Sequence, residues 1–407
     1  MNCRHCQAPL EHTFVDLGFA PPSNAYLTKS DLTRPEKYYP LKVKVCIQCW
    51  LVQTEDYAEA DELFNSDYAY FSSTSTSWLE HAGAYAEKVI DQFNLDSESF
   101  VIEVASNDGY LLKNFVEAGI PCLGIEPTDS TAAAAEKIGI PVLRDFFGEK
   151  LGGKLAIEGK QADLIAGNNV YAHVPDINDF TKGLMLALKA GGTITLEFPH
   201  IMRLIEHAQF DTIYHEHFSY LSLFTVSRIF ESVGLRVWDV DQLSTHGGSL
   251  RIYGCHAHDE RETNEAVQQI LDKEKGAGLQ SLHMYQNFQP RANQIKNDLL
   301  TYLLEAKRNG KQVAAYGAAA KGNTLLNYAG VKPDLLSFVC DAAEAKQGKY
   351  LPGSHIPIRS PKALSAESLD DVLILPWNIA EEIKNQLDDL SVKNVRFITA
   401  VPELKTI

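Results

Sequence analysis

Four cysteines near the start of the chain form two Cys-x-x-Cys pairs. They are Cys3, Cys6, Cys46 and Cys49. Each pair places two thiolates on one side of a tight turn, and two such turns complete a tetrahedron around zinc. Four protein ligands leave no open coordination position, so we predict a structural Zn²⁺ site. A redox-active pair and His5 in place of one cysteine are the alternatives.

The densest polar cluster is the sequence Tyr-His-Glu-His at residues 214–217. A histidine is the natural general base near neutral pH, and an adjacent Glu and Tyr can tune it or donate to an oxyanion. We expect His173 and His246 to approach the same space. One alternative is a second metal site, although the cluster lacks the HExxH spacing that puts two histidines on one helical face. Another is a tyrosine-rich packing loop.

Small, acidic and amide residues follow the ends of four predicted strands. Gly109 is the one glycine in residues 103–109, so the GxGxxG cradle for a pyrophosphate is missing. Glu126 ends the next strand, where a carboxylate can accept hydrogen bonds from both ribose hydroxyls. This set suits a nucleoside with an amino-acid tail and no phosphate, namely S-adenosylmethionine (SAM), although each residue could instead be an ordinary strand-end turn residue. The candidate cofactor-binding residues are Glu103, Ala105, Asn107, Gly109, Glu126, Asp145, Phe146, Asn168 and Asn169.

The elements that must position these residues fall into three consecutive regions of the chain, which differ in composition. Residues 1–70 are rich in turns, Cys, Pro and Tyr, and we assign them to a small zinc-binding domain. Residues 71–285 alternate apolar strands with helical patterns, which predicts a parallel sheet in a Rossmann-like SAM-binding domain. Residues 286–407 begin with a charged helix and then repeat the strand–turn–helix signal, which predicts a second Rossmann-like domain. The fold class is therefore α/β.

Individual elements can also be predicted. Strands are expected at 100–104, at 192–197 after a turn at 189–192, and at 335–340. A long helix is expected at 291–308, with Pro290 placed to open it.

Composition excludes several classes of protein. The chain has 407 residues and 45% hydrophobic content, enough for two or three domains with their own cores. Lys and Arg total 37 against 53 Asp and Glu, a net charge of −16, which argues against nucleic acid or an anionic membrane as partner. No apolar stretch approaches the ~20 residues of a membrane span, and the N-terminus lacks the core of a signal peptide. The odd count of seven cysteines favours a reducing compartment, so we expect a soluble cytoplasmic protein.

Seven motifs together resemble one known family. They are the two Cys-x-x-Cys pairs and residues 103–109, 167–176, 214–217, 246–251 and 316–323. The likeness covers essentially the whole chain. It is to the SAM-dependent sugar C-methyltransferases of branched-chain deoxysugars, the three-domain nucleotide-sugar 3-C-methyltransferases typified by enzymes of tetronitrose and mycarose biosynthesis.

The resemblance implies roles for particular residues. The histidine that closes the Tyr-His-Glu-His motif is the base in this family, which carries over to His217. Tyr214 and Glu216 carry over as its active-site partners. A tyrosine just after the zinc-binding domain reaches the sugar, and here it is Tyr68 or Tyr70.

The implied substrate is a nucleotide-diphospho-4-ketosugar, and its chemistry explains these roles. A 4-keto group makes the proton on C3 removable, and His217 would take it to leave an enolate. Tyr214 or His173 would stabilise O4 as negative charge develops. The C3 carbanion would then attack the sulfonium methyl in line, with inversion at the methyl carbon.

The C-terminal domain would hold the nucleotide. We expect the turn at 317–323 and the following helix to bind the diphosphate through backbone amides and Lys321, although Lys321 could be a solvated surface lysine. Trp377 or Tyr350 would stack on the base. The full set of substrate-binding candidates is His246, Lys321, Asn323, Tyr350, Trp377 and Asn378. We expect the protein to be a monomer.

Three other functions remain open at this stage. A nicotinamide-dependent oxidoreductase acting on a nucleotide sugar is disfavoured by the missing GxGxxG fingerprint. A non-catalytic zinc protein that binds a nucleotide sugar or a partner is disfavoured by the motif at 214–217. An O- or N-methyltransferase would need no 4-keto group.

Overall fold

The structure is a computed structural model that describes residues 1–55, 71–387 and 394–407. Tyr68 and Tyr70 lie outside the described residues, so their predicted role is not addressed by it. Within the described part, no helix combines the length and apolar character that a membrane crossing requires.

The N-terminal region forms an antiparallel sheet around alternating side chains. Its first strands are β1 (His12–Ala20), β2 (Tyr39–Val45) and β3 (Val52–Thr54). In β2 the side chains of Leu41, Val43 and Val45 are buried while those between them are half-buried. This period of two gives the sheet one apolar face.

The middle region contains eight strands and eight helices. The strands are β4 (Val101–Val104), β5 (Cys122–Ile125), β6 (Val142–Leu143), β7 (Ala162–Asn168), β8 (Leu188–Pro199), β9 (Ser219–Tyr220), β10 (Leu235–Leu243) and β11 (Ser249–His256). The helices are α1 (Thr76–Phe93), α2 (Leu112–Glu117), α3 (Asp129–Lys137), α4 (Glu149–Ile157), α5 (Ile177–Ala187), α6 (Ile201–Glu206), α7 (Leu223–Ser232) and α8 (Glu265–Ala277).

Seven of these strands form one sheet, in the order β10-β11-β8-β7-β4-β5-β6. Strands β4 to β8 pair in parallel, whereas β11 is antiparallel to both β8 and β10. Strand β9 is not part of this sheet. It pairs with β3, so the N-terminal sheet has the order β1-β2-β3-β9. The carboxyl ends of β4, β5, β6 and β7 therefore lie along one edge.

The C-terminal region is a second α/β unit. Its helices are α9 (Leu282–Gln286), α10 (Phe288–Arg308), α11 (Ala320–Ala329), α12 (Lys362–Ala366) and α13 (Ala380–Gln386). Its strands are β12 (Val313–Tyr316), β13 (Val339–Cys340), β14 (Ile358–Arg359), β15 (Asp371–Ile374), β16 (Arg396–Thr399) and β17 (Lys405–Thr406). The sheet has the order β14-β13-β12-β15-β16-β17 and is parallel except for β17.

The N-terminal and C-terminal sheets share one hydrophobic core. Phe14 of β1 stacks on Phe288 of α10 with ring centroids 4.4 Å apart, and the same cluster continues into β12 and β15. A second cluster joins the cysteine turns to the middle sheet. Contacts between the three sheets are thus apolar and extensive, which fixes their relative placement.

The predicted α/β architecture is confirmed, with local corrections. The expected turn at 189–192 lies inside β8. This strand begins at Leu188 because Leu188 already pairs with Ala162 of β7. The strand expected at 335–340 is only Val339–Cys340. Helix α10 begins at Phe288 and contains Pro290 in its first turn, where a missing N–H costs nothing.

Candidate functional site

The four cysteine sulfurs converge at one point. All four Sγ atoms lie within 4.8 Å of one another, with Cys3–Cys49 and Cys6–Cys46 each 3.5 Å apart. A tetrahedral zinc with Zn–S bonds of about 2.3 Å needs S···S separations of roughly 3.8 Å. The donor set and its spacing therefore fit the predicted zinc site.

The neighbours of the cysteines complete this fit. Each turn closes on a residue with positive φ, Gln7 at 61° and Trp50 at 62°, so the two turns share one backbone shape. Gln53 donates its amide to Cys3 Sγ at 3.2 Å, as a group supporting a thiolate ligand does. The Nδ1 atom of His5 instead pairs with Asn178 Oδ1 at 2.8 Å, which leaves the four cysteines as the ligand set.

The loop after β4 has an unusual backbone. Ala105, Asn107 and Gly109 all have positive φ, at 58°, 49° and 81°. Such conformations cost energy for residues other than glycine and concentrate where a ligand is bound. A Cβ on Gly109 would stand 2.3 Å from Ile140 Cδ1, so only glycine fits there.

Polar atoms in and beside this loop lack partners within the described residues. The buried Ser106 Oγ, Asp108 Oδ1 and Asn168 Oδ1 atoms make no hydrogen bond there. Buried polar atoms are normally satisfied, so these atoms mark a place prepared for a polar ligand. The observation fits a cofactor with hydroxyl, amino and carboxylate groups.

Glu126 lies at the end of β5, as predicted, and is 5% exposed. Its carboxylate accepts hydrogen bonds from the amides of Asn107 at 3.0 Å and Thr128 at 2.9 Å. A carboxylate has about four lone-pair sites, so it can still accept from ribose hydroxyls. Glu103 is fully buried in β4, and this burial raises its pKa well above the usual range.

The remaining cofactor candidates border the same edge of the sheet. Asp145 and Phe146 follow β6, and the Phe146 ring is 55% exposed, open to stack on a flat ligand. Asn168 ends β7 and donates to the Tyr110 hydroxyl at 3.3 Å. Asn169 has a positive φ of 54°. The sequence-predicted set is therefore brought together.

His217 is buried and oriented by the backbone. Its Nδ1 lies 2.9 Å from the Thr212 carbonyl oxygen, which can only accept, so Nδ1 carries the proton and Nε2 is left with a lone pair. Its ring centroid is 4.0 Å from that of Tyr214 and 4.6 Å from that of His173. Burial, followed by the charge of protonated His173, holds the pKa of His217 well below its usual 6.5. The imidazole is therefore neutral and able to accept a proton.

His173 and Glu216, two other candidates for the site, have different surroundings. Burial lowers the pKa of His173 to about 4. Glu216 is 1% exposed, and its Oε1 accepts from Asn24 Nδ2 at 3.2 Å. Burial raises the pKa of Glu216. This hydrogen bond ties Glu216 to the N-terminal segment.

A buried charge network beside the cofactor loop escaped sequence reasoning. Glu197, at the end of β8, accepts from Arg251 at 2.5 Å, His81 at 2.8 Å and Thr245 at 2.8 Å. Burial opposes its ionisation, but His81 and Arg251 outweigh burial and lower the pKa of Glu197 to about 2. The position of Arg251 at the end of the 246–251 motif was the available signal.

His246 connects this network to the centre of the site. Its Nε2 lies 3.0 Å from Asn169 Nδ2, and its ring is 5.4 Å from Trp78, another residue that sequence reasoning missed. Burial lowers the pKa of His246 to about 4. His246 therefore faces the cofactor edge as a neutral side chain.

Three of the substrate-binding candidates form one cluster. Lys321 Nζ donates to Asn378 Oδ1 at 2.7 Å and lies 5.0 Å from the Trp377 ring centroid. The Trp377 indole N–H donates to Asp211 Oδ2 at 2.7 Å. Burial lowers the pKa of Lys321, although Asp211 opposes this. Lys321 is thus half-buried beside the site and is not a solvated surface lysine.

The two other C-terminal candidates contact the N-terminal segment instead. Asn323 is fully buried and donates to the Ser23 carbonyl at 2.7 Å. The backbone of Tyr350 pairs with that of Leu27 at 2.8 and 2.9 Å. These hydrogen bonds run to the N-terminal segment and not to the Lys321 cluster.

Comparison with known proteins agrees with this arrangement. Three family models match in succession: a zinc binding domain at 3–64, a methyltransferase domain at 78–240 and a C-methyltransferase C-terminal domain at 244–402. The C-methyltransferase NovU of Streptomyces niveus is 33% identical over 406 residues, which is all of this chain and 96% of NovU.

Solved structures align with a smaller part of the chain. Magnesium protoporphyrin IX methyltransferase of Synechocystis, with bound SAM, is 13% identical, covers 43% of this chain and 78% of its own, and has a TM-score of 0.33. A SAM-dependent methyltransferase of Archaeoglobus fulgidus is 20% identical, with coverage of 40% and 71% and a TM-score of 0.32.

Fold, cysteine centre and family models together define a SAM-dependent methyltransferase with a zinc-binding domain. The chain belongs to the C-methyltransferase family that includes NovU. This membership decides against the oxidoreductase, the non-catalytic scaffold and the O- or N-methyltransferase.

Proposed function

We propose that the enzyme transfers the methyl group of SAM to C3 of a 4-keto-deoxy sugar linked to a nucleoside diphosphate. The reaction runs through an enolate made by His217, with inversion at the methyl carbon. The three predicted units, 1–70, 71–285 and 286–407, serve as zinc-binding, SAM-binding and nucleotide-binding domains of a monomer. The single observation that carries the proposal is the neutral, oriented imidazole of His217.

The substrate needs a base because a sugar carbon is not a nucleophile unless it lies next to a carbonyl. Nε2 of His217 accepts the C3 proton, and the resulting imidazolium keeps its Nδ1–H on the Thr212 carbonyl. Burial disfavours that cation, which makes the proton transfer reversible. When the imidazolium trades its Nε2 proton for one from water before returning it, C3 takes up a solvent proton, so exchange is expected when methyl transfer is blocked.

Negative charge on O4 of the enolate needs a hydrogen-bond donor. Tyr214 and His173 both pack against the His217 ring, at 4.0 and 4.6 Å between centroids. Donors held in advance in a dry site contribute more to lowering the barrier than the same donors in water.

The cofactor residues hold the second reactant. When bound, SAM supplies an electrophilic methyl group on a cationic sulfur. Glu126 accepts from the ribose hydroxyls, Phe146 stacks on the adenine, and the atoms left unpaired around Ser106 and Asn168 bind the amino-acid tail. Holding both reactants in line replaces on the order of 7 kcal/mol of encounter entropy.

The C-terminal unit binds the nucleotide. A cavity of about 440 Å³ opens at the ends of β15 and β16 and is lined by Trp377, Asn378 and Thr399. The positive charge of Lys321 and the amides that begin α11 suit a diphosphate. Tyr350, Asn323 and His246 complete the proposed substrate contacts.

The proposal is tested by following the C3 proton in D₂O. The enzyme is incubated with S-adenosylhomocysteine and either a dTDP- or a GDP-linked 4-keto-deoxy sugar, and the C3 signal is recorded by ¹H NMR. Exchange is expected with the wild type and with His283→Asn, an exposed histidine that serves as control, and is lost with His217→Asn. Methyl transfer to a substrate that lacks the 4-keto group would refute the enolate.

A further inference from the structure

The carbonyl that orients His217 belongs to a short segment that the C-terminal unit holds. The segment begins with the 3₁₀ turn Phe210–Thr212 and ends at His217. Thr212 contributes the carbonyl, at 2.9 Å from His217 Nδ1. If this carbonyl turned away, the imidazole would lose the partner that selects its tautomer.

Both neighbours of Thr212 are anchored by the C-terminal unit. On one side, the buried Asp211 carboxylate accepts the indole N–H of Trp377 at 2.7 Å. On the other, the Thr324 hydroxyl of α11 donates to the Ile213 carbonyl at 2.9 Å. A peptide carbonyl between two held residues has little freedom to rotate.

Trp377 is itself held in one orientation. The ring packs so closely on Gly247 that a Cβ there would stand 2.4 Å from Trp377 Cη2. Lys321 Nζ lies 5.0 Å from the ring centroid, close enough for a cation–π contact. This packing holds the Trp377 ring in an orientation that directs its indole N–H at the Asp211 carboxylate.

The Asp211 carboxylate accepts the Trp377 N–H and also lies close enough to Lys321 to feel its charge. Its side chain is 0% exposed, and Oδ1 makes no hydrogen bond in the described part of the chain. Burying a carboxylate is costly, and a leucine or alanine would cost less at a position that serves only packing.

We propose that Asp211 and Trp377 are positioning residues, which hold the Thr212 carbonyl so that His217 keeps Nδ1 protonated and presents Nε2 to the substrate. This inference rests on the proposed function, because it assigns His217 as the base. It also makes the C-terminal unit a participant in the proton transfer, beyond binding the nucleotide.

The test uses two substitutions in the full-length enzyme. Trp377→Phe keeps an aromatic side chain but replaces the indole, with its N–H, by a smaller phenyl ring, and Asp211→Asn keeps an oxygen that accepts from Trp377. The matched control is Trp238→Phe, because Trp238 Nε1 has no hydrogen-bond partner among the described residues. Circular dichroism and bound zinc confirm that each variant is folded.

The first readout is the tautomer of His217, from ¹⁵N-labelled histidine by NMR, with His217→Asn to assign the signal. Wild type, Trp238→Phe and Asp211→Asn are expected to show protonated Nδ1. Trp377→Phe is expected to show a mixture. An unchanged Nδ1 signal in Trp377→Phe overturns the inference, and this holds even if wild-type enzyme fails to exchange the C3 proton, a result that refutes only the proposed function.

The second readout is C3 exchange as a function of substrate concentration. Trp377→Phe is expected to lower the maximal exchange rate by about tenfold to a hundredfold, the cost of a misplaced catalytic group. The half-saturating concentration is expected to stay within about threefold of the wild-type value, since an aromatic side chain remains at this position. A raised half-saturating concentration at an unchanged maximal rate means that Trp377 only binds the nucleotide, and it overturns the inference.

Discussion

The Thr54 hydroxyl donates to the backbone carbonyl of His217 at 3.2 Å. Thr54 is the last residue of β3, in the sheet that carries the cysteine centre, and its own N–H donates to the Phe218 carbonyl at 3.1 Å. The segment that bears His217, the proposed base, is therefore held after His217 by the zinc-binding unit and before it by the C-terminal unit. This contact links the zinc-binding unit to the backbone of the proposed base.

Removing zinc is expected to inactivate the enzyme through β3. Cys49→Ser should lose the bound metal and lower turnover, because the turn that sets β3 against β9 is no longer held. Zinc is measured by inductively coupled plasma mass spectrometry, with about one ion per chain expected in the wild type. Cys122→Ser, at a cysteine outside the centre, should keep both zinc and activity; full activity of metal-free Cys49→Ser would contradict the prediction.

Replacing the base is expected to separate catalysis from cofactor binding. His217→Asn should lower turnover by roughly tenfold or more, while the Kd for SAM stays near the wild-type value. The reason is that His217 packs against Tyr214 and His173 and not on the loop after β4. Turnover near that of the wild type would remove His217 from the role of base.

The pH dependence of exchange is expected to follow the depressed pKa of His217. Burial, then the cationic forms of His173 and His246 and the charge of Lys321, lower this pKa, while the hydrogen bond to Thr212 raises it. The neutral form therefore persists below pH 6.5, and the rate should stay level from neutral pH through 6.5 and fall only in more acidic solution. A fall in the exchange rate centred on pH 6.5 would show that the His217 imidazole is exposed to solvent.

The Glu197–Arg251 pair is expected to stabilise the fold. The pKa of Glu197 is lowered to about 2, so its contribution is complete above the unfolded value of roughly 4.3 and is lost as pH falls toward 2. Arg251→Met removes the buried cation from this carboxylate, leaving only His81 and Thr245 as partners, and should cost about 3 kcal/mol. The change is measured as a lower Tm at pH 7.

The matched control for this substitution is Arg144→Met. Arg144 pairs with Asp129 and Glu136 on the surface, so its loss should leave the Tm unchanged within error. Equal shifts for the two variants would mean that burial of the Glu197 pair adds nothing.

Local features of the chain could be predicted because their physics is local. The cysteine spacing determines a tetrahedral donor set, since each Cys-x-x-Cys turn is closed by its own backbone. Strand ends with Glu126 and Asn168 were located by alternating apolar runs and glycine turns, and parallel pairing then places them at one edge. The Tyr-His-Glu-His motif at residues 214–217 could be recognised from its residue types alone.

The partners of those residues were decided only by the tertiary structure. Asp211 and Trp377 are 166 residues apart, and Glu197 and Arg251 are 54 apart, so nothing in their local sequence announces the pairing. Lys321 looked equally suited to a solvated surface until packing placed it beside Trp377. Such contacts depend on how three sheets pack around shared cores, and the free energy that selects them belongs to the whole assembled chain, not to any one segment.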